Sequence, residues 1–291
     1  MPRIPDVTLA NPRAARVKQV RALSGRPARS AHGQLLVEGP QSVREAVRYA
    51  PAAVRDLYLT EAAARRYTEI LDAAQTAGLY VHVGTPEVLT AMSPDAQGVL
   101  AVVRAERPTL AAELAVLAAT GDGRRRALLI AVLATVRDPG NAGTVIRAAD
   151  AAGADLVVLA GDSVDVHNPK AVRSTAGSLF HLPVVSGVSL GDTVDAVRAA
   201  GCTVLAADGA GDHDLDDLLD VAGPTAGRPA GMPDLAASTA WILGNEAWGL
   251  PEADRALADA VVRVPIRGRA ESLNLATAAT VCLYASSRAQ R

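Results

Sequence analysis

The sequence predicts a two-part α/β protein: a small amino-terminal α/β unit, then a larger α/β domain built on a parallel sheet. Three observations predict it. Apolar strand-like runs alternate with amphipathic helices from residue 34 to 104, stop, and restart at residue 127. Several of the later runs are apolar without interruption, as in strands covered on both faces of a parallel sheet. Three late strands each run into a polar loop and then a helix, which places ligand-binding groups at the carboxyl ends of strands.

The elements follow in order. Residues 1–29 hold Arg3, Arg13, Arg16, Lys18, Arg21, Arg26 and Arg29 against Asp6 alone, on a chain whose net charge is −2. Such a basic arm is either a phosphate-backbone contact or a solvated tail. Residues 34–38 form a short apolar strand ending at Gly39-Pro40, and 41–48 a helix with Val43, Ala46 and Val47 inward. Strands are expected over 54–59, 79–83 and 99–104, with helices over 61–77 and 85–92. These complete a unit spanning 1–105. Residues 106–126 change character, with a proline, an alanine-rich stretch and Thr-Gly-Asp-Gly-Arg-Arg-Arg; they read as a linker with at most a helical turn or two.

The second domain spans 127–291. Its expected strands are 128–135, 155–160, 183–185, 203–207, 239–243 and 261–264. Helices are expected over 142–152, from 169 onward, and over 190–200, 251–258 and 273–288. Residues 209–237 are rich in Gly, Pro and Asp and read as a long excursion with little regular structure. Within and beside it, residues 208–220 hold six aspartates and no cation.

Composition narrows the function. There are 2 lysines (Lys18 and Lys170), so arginine carries nearly all the positive charge, and its planar fork suits phosphate recognition. Eight aromatic residues are too few for a module that reads single strands on an aromatic platform. Cys202 and Cys282 make no framework or C-x-x-C motif, which implies a reducing compartment. The five histidines lack zinc-ligand spacing, and no metal is expected. No apolar run reaches membrane-spanning length and no signal-peptide core opens the chain, so a soluble cytoplasmic protein is expected. No G-x-x-x-x-G-K-[ST] or G-x-G-x-x-G motif follows a strand, which argues against nucleoside triphosphates and dinucleotides.

The three corners carry the chemistry. In the first, Asp138-Pro139-Gly140-Asn141 turns strand into helix, with Asn141 placed to cap it. Arg147 follows about two turns in, among Gly143, Thr144 and Ala151, with Asp150 able to orient its guanidinium. An ordinary surface Arg–Asp pair is the alternative reading. In the second, Gly244-Asn245-Glu246 follows an apolar run, glycine lets another group approach the backbone, and Glu246 emerges at the sheet end. In the third, V-P-I-R-G-R-A-E-S-L-N from Val264 to Asn274 opens a helix, with Ser272 as its cap and Asn274 in its first turn. That helix presents Leu275, Ala279, Cys282, Leu283 and Ser286 as a buried stripe.

Together these corners resemble the signature motifs of the SpoU/TrmH family of RNA ribose 2′-O-methyltransferases, in the SPOUT superfamily. Asn141-x5-Arg147 is similar to the first motif. Leu243-Gly244-Asn245-Glu246-x-x-Gly249 is similar to the second, and Pro265-x6-Ser272-Leu273-Asn274 to the third. The stretch from Asn168 to Phe180 looks like the family's segment between the first two motifs. Leu35-Leu-Val-Glu-Gly39 with its helix is similar to the start of a small ribosomal-protein-like RNA-binding module.

The resemblance implies a carboxy-terminal trefoil knot, S-adenosylmethionine as cofactor, an RNA partner and a homodimer that binds no membrane. By position Gly244, Val264, Ile266 and Leu273 correspond to cofactor-contacting sites, although the family usually has Ile or Met at 264 and Met at 266. It implies that Arg147 activates the ribose hydroxyl, that Asn141 and Glu246 hold Arg147 and the loops, and that Ser272 and Asn274 orient the hydroxyl. Arg267 and Arg269 add basic charge suited to RNA. Ribosomal RNA is the expected substrate, transfer RNA the alternative. A base methyltransferase of the same fold and a non-catalytic RNA-binding or ribosome assembly factor are the rival functions.

Overall fold

The computed structural model describes residues 4–119, 127–223, 228–245 and 248–291. It divides into two compact units, Met1–Glu106 with Asp165–His181, and Arg107–Val164 with Leu182–Arg291.

The first unit contains β1 (Val7–Leu9), α1 (Ala15–Ala22), α2 (Arg26–His32), β2 (Gln34–Glu38), α3 (Pro40–Tyr49), β3 (Val54–Thr60), α4 (Glu61–Arg66), α5 (Thr68–Thr76), β4 (Val81–Gly84), α6 (Pro86–Met92) and β5 (Val99–Arg104). The sheet order is β1-β4-β3-β5-β2, with β4 parallel to β1 and β3, and β5 antiparallel to β3 and β2. The period of two decides both cores. Leu35, Val37, Leu57 and Leu59 pack with α3 and α5 on one face. Leu36, Tyr58, Leu100 and Val102 pack with α1 and α6 on the other.

Two expectations change here. The basic arm is folded, with Val17, Val20 and Leu23 buried and Arg29 only 5% exposed. Arg29 donates to Asp165 at 2.8 Å and to the carbonyls of Leu23 and Ser24. Burial alone would raise the Asp165 carboxyl, but the Arg29 guanidinium and the His167 amide hold it below its ordinary value. The single helix expected over 61–77 breaks at Tyr67, which leaves the helical region and packs against the core.

The second unit contains α7 (Leu110–Ala119), β6 (Leu129–Ala134), α8 (Pro139–Ala152) and β7 (Leu156–Ala160). Next in the chain, α9 (Pro169–Ser174) groups with the first unit. Then follow β8 (Val184–Val188), α10 (Leu190–Ala199), β9 (Thr203–Ala207), β10 (His213–Asp214), α11 (Leu215–Asp220), β11 (Thr239–Leu243), α12 (Glu252–Arg255), β12 (Ala260–Arg263) and α13 (Leu275–Ala289). All seven strands run parallel in the order β10-β12-β9-β11-β6-β7-β8. The uninterrupted apolar runs are covered on both faces, as expected. Ile130, Val132, Val158 and Ile242 meet α7 and α10, while Trp241 lies fully buried and donates its indole N–H to Ser286 of α13 at 2.9 Å.

The segment 165–181 interrupts the continuous second domain expected over 127–291. Arg173 of α9 pairs with Glu38, which is 5% exposed, and with Asp95 at 3.0 Å. Val172 joins the core around Leu35. A buried carboxylate needs its cation, and this pair ties α9 to β2. The stretch read as a linker holds α7, whose Leu110, Leu114 and Leu117 pack on the second sheet; its residues 120–126 lie outside the described ones. The excursion over 209–237 holds the short β10 and α11, with no further element over its described residues after 220. Asp214 caps α11 by accepting from the Asp216 amide, and Leu215 and Leu218 are buried.

Candidate functional site

The carboxyl ends of β9, β11 and β12 open onto one cavity of about 430 Å³. Gly244, Val264, Ile266, Ser272, Leu273 and Asn274 all line it, so residues from the second and third corners share one wall. Gly244 is there for a steric reason. A Cβ at this position would lie 2.6 Å from the Gly249 backbone, well inside contact distance. The chain folds back at that point, with Asn245 and Gly249 exchanging both backbone hydrogen bonds at 3.0 and 2.9 Å.

Asn274 caps α13, its Oδ1 accepting from the amides of Ala276 and Thr277. Its Nδ2 donates to Asn141 Oδ1 at 3.2 Å, which joins the first corner to the third. Both capping expectations are therefore corrected. Asn274, not Ser272, caps α13, leaving the exposed Ser272 hydroxyl on the cavity wall. Asp138, not Asn141, caps α8 by accepting from the Asn141 amide at 2.8 Å. The reason is length: each helix begins at a different residue from the one periodicity suggested, and the cap moves with it.

Arg147 does not line the cavity. It stands on the exposed stripe of α8 with Thr144 and Ala151, and among the described residues its guanidinium forms no ion pair. Glu246 lies outside the described residues.

Two residues, Asp208 and Thr135, escaped sequence reasoning, and Asn245 stood in the second motif without an assigned role. Asp208 follows β9 and lines the cavity; its Oδ1 accepts from the Ala210 amide at 2.9 Å and lies 3.3 Å from Arg255. The signal was available, since a short apolar strand ending in Asp-Gly has the same grammar as the other corners. Asn245, 6% exposed, donates from Nδ2 to the Thr135 carbonyl at 2.8 Å. Thr135 itself has φ +54°, rare for a β-branched residue, and no sequence signal marks it. Its strain is held in place by the Asn245 bond and by its amide donating to Ala160.

The acidic run around the site acts as internal countercharge. Asp214 lies 3.3 Å from Arg263, and Asp216 lies 2.5 Å from Arg267. Arg267, expected to reach RNA, thus faces a carboxylate of α11. Arg137 stands 5.5 Å over the exposed Trp248 ring. Among the described residues no group of His, Cys, Asp and Glu could hold a metal ion, and no helix is long and apolar enough to cross a membrane.

Comparison with known proteins places this geometry. Residues 128–284 match the SpoU rRNA Methylase family, and residues 36–109 match a module described as RNA 2′-O ribose methyltransferase substrate binding. The 23S rRNA (guanosine(2553)-2′-O)-methyltransferase RlmP of Bacillus subtilis is 32% identical over 271 residues, 92% of this chain and 94% of the relative. The 23S rRNA (uridine(2479)-2′-O)-methyltransferase of Streptomyces viridochromogenes is 42% identical over 153 residues, 52% of this chain; the match spans about half, 49%, of that relative's length. Among solved structures, the SpoU methyltransferase AviRb from Streptomyces viridochromogenes in complex with AdoMet superposes with a TM-score of 0.74 at 32% identity, covering 95% of this chain and 98% of that one. The chain belongs to the SpoU rRNA methylase family.

Proposed function

We propose that this protein transfers the methyl group of S-adenosylmethionine to a ribose 2′-hydroxyl of 23S ribosomal RNA. One observation carries the reading: Gly244, Val264, Ile266 and Leu273, assigned to the cofactor by motif position, share one cavity with Ser272 and Asn274. The cavity fits such a cofactor. Gly244 keeps one wall clear down to the backbone, apolar side chains supply faces for an adenine, and Asp208 presents a carboxylate to a ligand bearing an ammonium, a sulfonium and ribose hydroxyls.

The bound cofactor would supply an electrophilic methyl group. The protein's own residues must then position a poor nucleophile and relieve it of its proton. In this reading Ser272 orients the ribose hydroxyl, and the Asn141–Asn274 bond fixes the loop that carries Ser272. Arg147 acts as a guanidinium donor that stabilises the developing alkoxide, and an RNA phosphate or water takes the proton. Glu246 is assigned to holding Arg147. The loops after β11 and β12 meet at one cavity, which supports the trefoil knot. Val281 and Tyr284 are exposed on the outer face of α13 at 39% and 45%, which supports a homodimer. An RNA substrate and two free buried cysteines support a cytoplasmic location.

The test incubates the protein with S-adenosylmethionine and 23S rRNA, then digests the RNA and identifies nucleosides by mass spectrometry. A 2′-O-methylated nucleoside is expected. A base-methylated product, or no product and no cofactor binding by calorimetry, would overturn the proposal.

A further inference from the structure

We infer that a cleft at the amino ends of β3 and β4 binds one unstacked nucleotide of the RNA substrate, with the base on Tyr80 and the phosphate between Arg16 and Arg55. The inference rests on the methyltransferase reading and deepens it, because it names a contact in the unit that would recognise the RNA.

The cleft measures about 710 Å³ and lies wholly in the first unit. Arg16 comes from α1, Arg55 and Asp56 from the start of β3, and Tyr80 and His82 from β4 and the residue before it. Tyr80 is 74% exposed, the most exposed large apolar side chain among the described residues. An aromatic face left in water at the wall of a basic cleft is what a splayed base stacks on.

Little carboxylate charge faces the cations of this cleft. Asp56, its one carboxylate, is taken up by His82 at 2.7 Å, and the His82 ring stacks on buried Tyr58 at 5.0 Å. Arg16 Nη1 lies against the His82 ring, 3.0 Å from Nε2 and 3.3 Å from Nδ1, which places the guanidinium at the cleft. Arg55 is exposed and forms no ion pair among the described residues. Arg104 donates to the carbonyl of Ala52, a lining residue, at 2.7 Å and brings a third guanidinium to the rim. At the other two cavities several arginines face carboxylates. In the cavity beside α9, Arg173 is neutralised by Glu38 and Asp95. Around the cofactor cavity, Arg255, Arg263 and Arg267 meet Asp208, Asp214 and Asp216. Cations without countercharge next to an exposed ring favour a polyanion with π faces over a neutral ligand.

The test measures binding of full-length protein to a 23S rRNA transcript across a salt series. Tyr80→Ala should weaken binding at least about fivefold, the lower end for losing one stacked base. Tyr80→Phe should restore it. Arg55→Ala should reduce the slope of log affinity against log salt by about 0.7–0.9, one phosphate contact. S-adenosylmethionine affinity, measured by calorimetry on the same preparations, reports that the variants are folded. Wild-type RNA affinity and salt slope in both Tyr80→Ala and Arg55→Ala would overturn the cleft while leaving the methyltransferase reading standing. A wild-type protein that neither binds nor methylates the transcript would overturn both.

Discussion

The second unit's cavity and the first unit's cleft both open at the ends of parallel strands, yet their linings differ in kind. One is walled by glycine, aliphatic side chains, asparagines and the carboxyl groups of Asp208 and Glu271, with Arg255, Arg263 and Arg267 beside it matched to aspartates. The other is walled by arginines and an exposed tyrosine. The difference teaches that arginine content alone says little about where RNA binds. What matters is which guanidinia the fold leaves without a carboxylate, and that is decided by pairs such as Asp214–Arg263, far apart in sequence.

The comparison can be broken unit by unit. The largest effect is expected from Arg29→Ala, which leaves Asp165 without its cation and should cost about 3–5 kcal/mol. Because both tryptophans lie in the second unit, urea unfolding followed by circular dichroism should show an early transition that tryptophan fluorescence does not. Coincident, unshifted transitions would contradict the structural role of Arg29. The sign with pH follows from the depressed Asp165 carboxyl: its stabilisation is present above the unfolded value of about 4 and is lost as pH falls.

Arg147→Ala probes the proposed chemistry instead of the fold. Methyl transfer should fall about 10²–10³-fold, as for loss of one donor to a developing oxyanion, with cofactor affinity unchanged by calorimetry. A mutant that methylates at the wild-type rate would remove Arg147 from the mechanism. Asp208→Asn should weaken cofactor binding about tenfold, near the lower end for a hydrogen bond to a charged group. Unaltered affinity would mean that Asp208 serves only Arg255 and the Ala210 turn.

The smallest effect sharpens the asparagine pair. Asn274→Ala should cost about 1 kcal/mol through loss of the α13 cap. Asn274→Asp should restore thermal stability, since aspartate caps as well, but not the bond donated to Asn141. If activity follows stability in both variants, the Asn141–Asn274 bond has no part in positioning Ser272.

Much of the fold was legible because its cues are local. Uninterrupted apolar runs such as 239–243 announced buried parallel strands, and the stripe through Leu275, Ala279 and Cys282 announced α13. The helices α7 and α11 within the 106–126 and 209–237 stretches were underestimated because they are alanine- or aspartate-rich and stabilised by packing of Leu110 or Leu215 that no periodicity reports. Gly244, Ser272 and Asn274 were legible as a site through motif spacing. Asp208 was hidden inside a charge run, and Thr135 carries no signal because its left-handed backbone is imposed by Asn245.

The sequence by itself determined the two α/β alternations, the family and the candidate residues of the three corners, since motif spacing and hydrophobic period are properties of the chain. Only the tertiary structure decided that the second and third corners line one cavity, and that Asn274 reaches back to Asn141. It also decided that α9 belongs with the first unit and that the aspartate run answers the nearby arginines. Each of these is a contact across many tens of residues. Its energy depends on burial and on which charges are left facing water, and neither is written in any local pattern.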